Sequence, residues 1–174
     1  MSSRLAVVFV STLVALVLML LEWRVSRRNE VALRRAGAVE PAGDVHGTMA
    51  WAYPASFVAM ALEGILSNRP PGVLTLAGAA GFAAAKALKY WAMASLGRRW
   101  SFRVLVLPGA PLVTRGPYAW LRHPNYVGVI GELAAFAPLV SAPVTGIVAV
   151  GGFALLIRAR IRVEERALGI APAR

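Results

Sequence analysis

The sequence predicts an all-α integral membrane protein of about five transmembrane helices, and three observations favour this fold class. Hydrophobic residues make up 58% of the 174 positions. The mean hydropathy is +0.63, which is high for a soluble domain. The charged residues are bunched at the ends of apolar runs and are not spread along amphipathic faces. We therefore expect one membrane domain covering residues 1–174, with the bilayer as its solvent.

Composition argues against several other classes of protein. The formal net charge is +11, but the arginines flank apolar runs, whereas a nucleic-acid-binding domain carries its basic residues on a polar surface. The absence of cysteine excludes disulfides, thiolate metal sites, covalent cysteine catalysis and palmitoylation. The two histidines, His46 and His123, are too few for a histidine-based metal cluster. We therefore predict neither a nucleic-acid partner nor a metal.

The first predicted span covers about residues 5–22. A cleavable signal peptide is the alternative, and the absence of a small-x-small cleavage site after the run disfavours it. Glu22 and Trp23 instead resemble an interfacial anchor followed by stop-transfer charges. The arginine-rich residues 24–44 are expected to form a polar connection, because glycine and proline interrupt them.

The second and third spans are predicted at about 49–66 and 73–96. The turn between them is short and contains two prolines and a glycine, so the two helices should be antiparallel neighbours. Lys86 and Lys89 lie near the far end of the third span. Because lysine side chains are long, we expect both to snorkel towards the lipid headgroups.

Residues 97–125 form the longest polar stretch of the chain. Four prolines and three glycines disfavour a single helix, so we predict an ordered loop with a short strand-like piece around 103–107. Two apolar runs follow, giving spans at about 126–140 and 143–158. Each is shorter than the roughly 20 residues of a perpendicular span, which predicts a tight helical hairpin followed by a charged helical extension.

The distribution of basic residues predicts the orientation. If the N-terminus is outside and five spans follow, only Arg4 and Arg69 of the 19 lysines and arginines lie on the outer side. The opposite orientation would reverse this asymmetry. We therefore expect the C-terminus and the loop at 97–125 to be cytoplasmic, in a bacterial inner membrane.

One polar cluster surrounds the start of the fourth span. Pro124 would begin the helix, so that His123 and the N–H groups of the first turn form a site suited to an anion. The alternative is an interfacial turn in which Tyr118, Trp120 and Tyr126 are aromatic-belt residues. The residues alone leave both interpretations open.

A second cluster lies in the C-terminal extension. Neighbours on a helix point about 100° apart, so only one of Glu164 and Glu165 can face a ligand while the other pairs with arginine. The alternative is a surface ion pair between Arg160 and Glu164, which are four residues apart. Glu132 differs because it lies inside an apolar run, where a carboxylate costs about 2.5–3.5 kcal/mol. It should therefore face protein, water or a substrate.

Two segments together resemble a known family signature: GPYAWLRHPNYVG at 116–128 and RIRVEERAL at 160–168. They resemble the isoprenylcysteine carboxyl methyltransferase family, which is similar to the phospholipid N-methyltransferases. In that family such segments form a cytosolic pocket for S-adenosylmethionine, and the acceptor lipid enters from the bilayer. The resemblance therefore implies cofactor motifs at 103–128 and 158–168.

Two further segments resemble one bacterial branch: WRVSRRNEVALRRAGAVE at 23–40 and LGRRWSFRVLVLPGAPLV at 96–113. That branch accompanies type III polyketide synthases and O-methylates alkylresorcinols or alkylpyrones. The chain departs from this branch at the start of the second span. Gly47 follows His46 where the branch has a tyrosine, and the further histidine that the branch has near a pair of phenylalanines is absent. This departure affects the acceptor contacts more than the cofactor site.

The resemblance implies specific roles for individual residues. The implied cofactor-binding residues are Arg103, Leu112, Val113, Tyr118, Arg122, His123, Pro124, Tyr126, Glu164 and Glu165. Arg160 is implied to lie beside the acceptor group, where it would stabilise an oxygen anion. A phenolic acceptor also needs a base, for which Glu132 and His123 are the candidates.

The activity implied is methyl transfer from S-adenosylmethionine to a lipophilic acceptor in the membrane. The acceptor would be a polyketide-derived phenolic lipid or pyrone, or a prenylcysteine-like carboxylate. The richness in Ala, Gly, Arg and Val indicates a bacterial gene. Because bacteria generally lack prenylated proteins, a polyketide-derived acceptor is preferred. One alternative is an NADPH-dependent membrane reductase of the sterol-reductase-like type, which has a similar histidine-proline stretch. Another is a non-catalytic membrane protein. The oligomeric state is not predicted.

Overall fold

A computed structural model describes residues 3–169 and folds this part of the chain into five α-helices. The helices are α1 (Ser3–Arg35), α2 (His46–Leu66), α3 (Val73–Leu96), α4 (Pro124–Val140) and α5 (Pro143–Ala167). Short 3₁₀ turns interrupt the connection between α3 and α4 at Gly97–Arg99 and Gly116–Ala119. The predicted all-α fold class is confirmed.

Helix length and hydropathy identify this chain as an integral membrane protein. Helices α1, α2 and α5 are each long and apolar enough to cross a bilayer. Helix α4 is apolar but has 17 residues, and α3 has 24 residues that include two lysines. Helix α4 packs against α1, α2 and α5, and α3 packs along α4. A five-span arrangement remains our prediction.

The connections between helices lie at two opposite ends of the bundle. At one end, Arg4 of α1 donates hydrogen bonds to the Asn68 side chain at 3.4 Å and to the Ile65 carbonyl at 3.3 Å, next to the turn between α2 and α3. The other end contains the long connections at 36–45 and 97–123 and the last turns of α5. We call this second end the basic end.

Helix α4 lies at the centre of the bundle and approaches α3 closely through glycine. A Cβ atom on Gly78 of α3 would lie 2.5 Å from the Leu139 backbone nitrogen, and one on Gly128 of α4 would lie 2.9 Å from the Lys89 Cβ. Small residues allow such close contact between helix backbones in membrane proteins. Around this seam the aromatic core is formed by Phe57, Phe82, Phe136 and Phe153.

Helix α1 continues further than predicted. The segment expected to be a polar connection from residue 24 is helical as far as Arg35, because strong helix formers fill it and glycine first occurs at 37. Gly37 has φ of 85°, and the Ala38 amide donates to the Leu33 carbonyl at 2.9 Å, which together form a helix C-cap.

The expected positions of Glu22, Lys86 and Lys89 at the lipid interface are wrong. Lys86 Nζ lies 2.7 Å from Glu22 Oε1 and 2.8 Å from Glu132 Oε2, while Lys89 Nζ lies 2.6 Å from Glu22 Oε2 and 3.3 Å from Glu132 Oε1. All four side chains are buried. The opposite charges neutralise one another inside the bundle, so the lysines need no headgroups. We call Glu22, Lys86, Lys89 and Glu132 the buried quartet.

The predicted hairpin between α4 and α5 forms at Ser141, whose φ of 61° turns the chain. Helix α5 is not short, however, because the charged extension continues the same helix to Ala167. The strand-like piece expected around 103–107 is reduced to one antiparallel bridge between Val39 and Val106.

Candidate active site

A polar cavity and an apolar cavity lie next to each other towards the basic end. The polar cavity has a volume of about 100 Å³, and its wall includes Arg103, Tyr118, His123, Tyr126, Arg160 and Glu164. The apolar cavity has a volume of about 360 Å³ and extends between α1 and α2, where its wall includes Leu16, Met19, Trp23, Met49, Tyr53 and Phe153.

The two cavities share part of their walls. Ser101, Asn125, Tyr126 and Arg160 line both of them. Three of these residues, Asn125, Tyr126 and Arg160, lie in the motifs that the sequence singled out. A ligand in the polar cavity would therefore meet a ligand in the apolar cavity at these side chains.

Arg160 is held firmly at this boundary and is only 5% exposed. Its Nε donates a hydrogen bond to the Tyr126 hydroxyl at 2.9 Å, and its Nη2 donates to the Phe102 carbonyl. Its Nη1 lies 3.3 Å from Asp44 Oδ1. These contacts come from three different parts of the chain, and they differ from the solvated surface pair with Glu164 that the spacing alone allowed.

Tyr126 connects the two sequence motifs through its hydroxyl group. The hydroxyl donates to Glu164 Oε2 at 2.7 Å and accepts the bond from Arg160 Nε. The start of α4 and the charged end of α5 therefore form one site, as the resemblance implied. The roles of these residues remain predictions.

His123 lies between the two adjacent glutamates. Its Nε2 is 3.3 Å from Glu165 Oε1, its Nδ1 is 3.8 Å from Glu164 Oε2, and its ring stacks on Tyr126 with 5.6 Å between centroids. Glu165 is buried, and Arg122 Nη1 lies 3.7 Å from it. Glu164 thus faces the polar cavity while Glu165 pairs with basic side chains, as the 100° separation suggested.

A set of contacts covers the polar cavity at the basic end. The backbones of Val39 and Val106 exchange hydrogen bonds of 2.9 and 3.0 Å, and Arg103 Nη1 donates to Glu40 Oε1 at 2.6 Å. Asp44 Oδ2 accepts a bond of 3.1 Å from the Val104 amide. We call residues 36–45 and 101–106, joined in this way, the clasp.

Electrostatics stabilise the clasp and keep a nearby phenol neutral. Burial alone would raise the pKa of Glu40, but hydrogen bonds from Arg103 and Arg34 hold it below its ordinary value. The bond to Glu40 in turn raises the pKa of Arg103. Burial, and then the charge of Glu164, raises the pKa of Tyr118, so its hydroxyl remains a hydrogen-bond donor to the polar cavity.

Several implied site residues lie outside both cavities. Those that line neither cavity are Leu112, Val113, Arg122, Pro124, Glu132 and Glu165. Glu132 is 0% exposed within the buried quartet, and the Tyr53 hydroxyl, which donates to its Oε2 at 2.6 Å, lies between it and the apolar cavity. Glu132 therefore contacts the apolar cavity only indirectly, through Tyr53 and through Lys89, which also lines that cavity, and its role as a base remains a prediction.

Sequence reasoning did not find three residues that shape the site. Asp44 lies beside Arg160. It is the single aspartate of the chain, and that rarity is the signal by which the sequence could have singled it out. Asn125 lies within the recognised motif, and its Oδ1 accepts a hydrogen bond of 3.2 Å from Trp100 Nε1. Tyr53 carries no signal, because tyrosine near a helix start is common at membrane interfaces.

Comparison with known proteins agrees with this geometry. Residues 76–170, which include the motifs around Tyr126 and Glu164, match the isoprenylcysteine carboxyl methyltransferase (ICMT) family. The uncharacterized protein YpbQ of Bacillus subtilis strain 168 is 35% identical over 84% of this chain and 88% of that protein. An uncharacterized protein of Haemophilus influenzae is 26% identical over 83% of this chain and 84% of that protein.

A third relative matches a shorter region. The cobalt-zinc-cadmium resistance protein CzcN of Cupriavidus metallidurans is 41% identical over 83 residues, which cover 45% of this chain and 37% of that protein. No solved structure matches the chain.

Proposed function

This chain belongs to the isoprenylcysteine carboxyl methyltransferase family and is a membrane methyltransferase, and on this premise we propose that it methylates an oxygen of a lipophilic acceptor with S-adenosylmethionine. The observation that carries the proposal is the wall shared by the polar and apolar cavities, with Tyr126 and Arg160 on it. A water-soluble donor and a lipid acceptor would need such a boundary to react.

The side chains of the polar cavity support S-adenosylmethionine as the proposed cofactor. Arg103 offers a guanidinium to its carboxylate, and Glu164 and Tyr118 offer an acceptor and a donor to its amino group and ribose hydroxyls. The stacked rings of His123 and Tyr126 offer an apolar face. When bound, this cofactor supplies an electrophilic methyl group on a positively charged sulfur.

Arg160 would hold the acceptor oxygen as an anion after its proton has passed to a base, for which His123 and, through Tyr53, Glu132 are the candidates. The guanidinium of Arg160 is fixed by Tyr126, Asp44 and the Phe102 carbonyl before any ligand arrives. Preorganised donors of this kind require no rearrangement during the reaction, and removal of one such donor costs about 10²–10³ in rate in other enzymes. The apolar wall excludes water, which strengthens the interaction.

The apolar cavity supports a membrane-borne acceptor with a small polar head and an alkyl chain. Leu16, Met19 and Trp23 on α1 face Met49 on α2 across it, so an alkyl chain would lie between the two helices and the head would lie against Arg160. A polyketide-derived phenolic lipid or pyrone fits this description, and a prenylcysteine-like carboxylate is the alternative acceptor. The membrane lipids themselves are the expected route of access.

We place the basic end in the cytoplasm of a bacterium and the N-terminus outside. The end of α1, the loop at 97–123 and the last turns of α5 lie at this end, and they are the parts of the chain richest in arginine. The positive-inside rule favours that orientation. It also exposes the polar cavity to the compartment that holds S-adenosylmethionine.

The test is methyl transfer from labelled S-adenosylmethionine to lipid extracts and to synthetic phenolic lipids, using purified protein in detergent. We expect Arg160→Ala to reduce the rate by about 10²–10³, as for loss of a preorganised donor, and Glu164→Ala to weaken cofactor binding. Arg158→Ala, an exposed position on the same helix, is the control and should behave as wild type.

Because Arg160→Ala leaves Asp44 without its arginine partner, Arg160→Lys is needed as a second variant that keeps the charge. Near-normal transfer by both Arg160 variants would end the assignment. Binding of NADPH in place of S-adenosylmethionine would instead support a membrane reductase, and binding of neither would support a non-catalytic protein.

A further inference from the structure

Tyr53 and Lys89 connect the buried quartet to the apolar cavity. Tyr53 lies in the wall of the apolar cavity, and its hydroxyl donates a hydrogen bond of 2.6 Å to Glu132 Oε2. Lys89 lines the same cavity, with its Nζ 5.2 Å from the centroid of the Tyr53 ring. Most of this wall is apolar, and polar groups buried in a membrane protein are costly.

The buried quartet fixes the direction of the Tyr53 hydrogen bond. Lys86 and Lys89 lie 2.8 and 3.3 Å from the carboxylate oxygens of Glu132, and Glu132 Oε2 accepts the hydrogen bond that the Tyr53 hydroxyl donates. The Tyr53 proton is thus directed at Glu132, and the remaining lone pair of the Tyr53 oxygen is available to the cavity. Towards a ligand, Tyr53 acts as a hydrogen-bond acceptor.

Tyr53 is separate from the position of the reacting oxygen but close to it. Arg160 Nη1 lies 3.9 Å from Met49 Sδ. Met49 is four residues before Tyr53 on the same face of α2, about 6 Å along the helix axis. A single ring with two polar substituents would therefore contact Arg160 with one and Tyr53 with the other.

We propose that Tyr53 is a specificity-determining residue that accepts a hydrogen bond from a second hydroxyl of the acceptor, which is not the group methylated. The acceptor is then an amphiphile whose compact head carries two oxygen functions. This inference rests on the proposed function, because it takes Arg160 as the position of the reacting oxygen.

The experiment compares a long-chain alkylresorcinol with the alkylphenol that has the same chain, so that the ligands differ by one hydroxyl. Binding of each is measured by the shift in thermal unfolding and by equilibrium dialysis in detergent, and methyl transfer is measured in parallel. We expect the wild type to prefer the resorcinol about tenfold, because one well-placed hydrogen bond has about that effect. Tyr53→Phe should bring the ratio close to one by weakening the resorcinol alone.

The control is Tyr90→Phe, which removes a hydroxyl from a tyrosine outside the cavity whose ring lies 5.7 Å from Lys86 Nζ, beside the same quartet. It should keep the tenfold preference. If Tyr53 only packed the helices, Tyr53→Phe would weaken both ligands equally and the preference would survive, which overturns the inference.

Two further outcomes separate this inference from the proposed function. A wild-type preference in binding that Tyr53→Phe removes, without methyl transfer to either ligand, would contradict the proposed function and support the binding role of Tyr53. A wild type that binds both ligands equally, or neither, overturns the inference even if other lipids are methylated.

Discussion

Lys86 and Lys89 are buried inside an apolar bundle, where two glutamates stabilise their charges. Each lysine contacts both Glu22 and Glu132, so the quartet is neutral and joins α1, α3 and α4. Such a cluster adds little stability relative to apolar side chains of the same volume. Removal of one member leaves an uncompensated buried charge, which typically costs about 3–5 kcal/mol.

We expect Lys86→Met to destabilise the protein by roughly that amount, because it leaves the two glutamates with one lysine. Adding Glu22→Gln to the same chain restores neutrality and should recover part of the loss, although each change is destabilising alone. Thermal unfolding in detergent measures both. Additive losses in the double variant would show that the quartet is not electrostatically coupled.

At the scale of single helices, the contact between α3 and α4 depends on glycine. A Cβ atom at Gly78 would lie 2.5 Å from the Leu139 backbone nitrogen and 2.8 Å from the Ala135 carbonyl oxygen. Backbone atoms cannot move aside as a flexible side chain can. A methyl group at Gly78 would therefore push α3 and α4 slightly apart and loosen the packing of the core around Phe136.

Gly78→Ala should therefore destabilise the protein by about 1–3 kcal/mol, the usual cost of overpacking. Gly151→Ala is the matched control, because no other atom lies within 4 Å of a Cβ atom at this helical position on α5. Helix propensity alone would make either change neutral or stabilising. The midpoint of thermal unfolding should fall for the first variant and stay or rise for the second; equal midpoints would contradict the packing argument.

Across the whole molecule, the sequence predicted what depends on local pattern. The third helix was placed at 73–96, as found, because a proline-rich turn and a glycine bound an apolar run. Tyr126 and Glu164 meet as the paired motifs implied. The sequence did not predict the full length of α1, because an arginine-rich segment has the same composition whether it forms a helix or a loop.

Contacts between residues far apart in the chain could not be predicted from the sequence, for a different reason. Glu22 and Lys86 are 64 residues apart, and a lysine near the end of an apolar run looks the same whether it reaches a headgroup or a buried glutamate. Tyr53 likewise gives no sign that Glu132 accepts its proton. Contacts of this kind are determined by the packing of three helices together.

The clasp bears on how a cofactor would reach the polar cavity. That cavity, at about 100 Å³, is smaller than the roughly 300–1,000 Å³ usual for ligand sites. Residues 101–106 form part of its wall and are tied to residues 36–45 by the Val39–Val106 bonds and the Arg103–Glu40 pair. Under the proposed function, uptake of S-adenosylmethionine would therefore require these two segments to separate.

A disulfide between Val39→Cys and Val106→Cys tests this requirement. The two residues form a hydrogen-bonded antiparallel pair, whose usual Cα separation of about 5.5 Å is compatible with a disulfide. The chain has no native cysteine, so the introduced thiols can react only with each other within one molecule. We expect the oxidised protein to bind labelled S-adenosylmethionine at least tenfold more slowly than the reduced protein, with Val39→Cys alone insensitive to oxidation. Equal binding rates before and after reduction would mean that the cofactor enters by another route, because the crosslink holds the clasp closed.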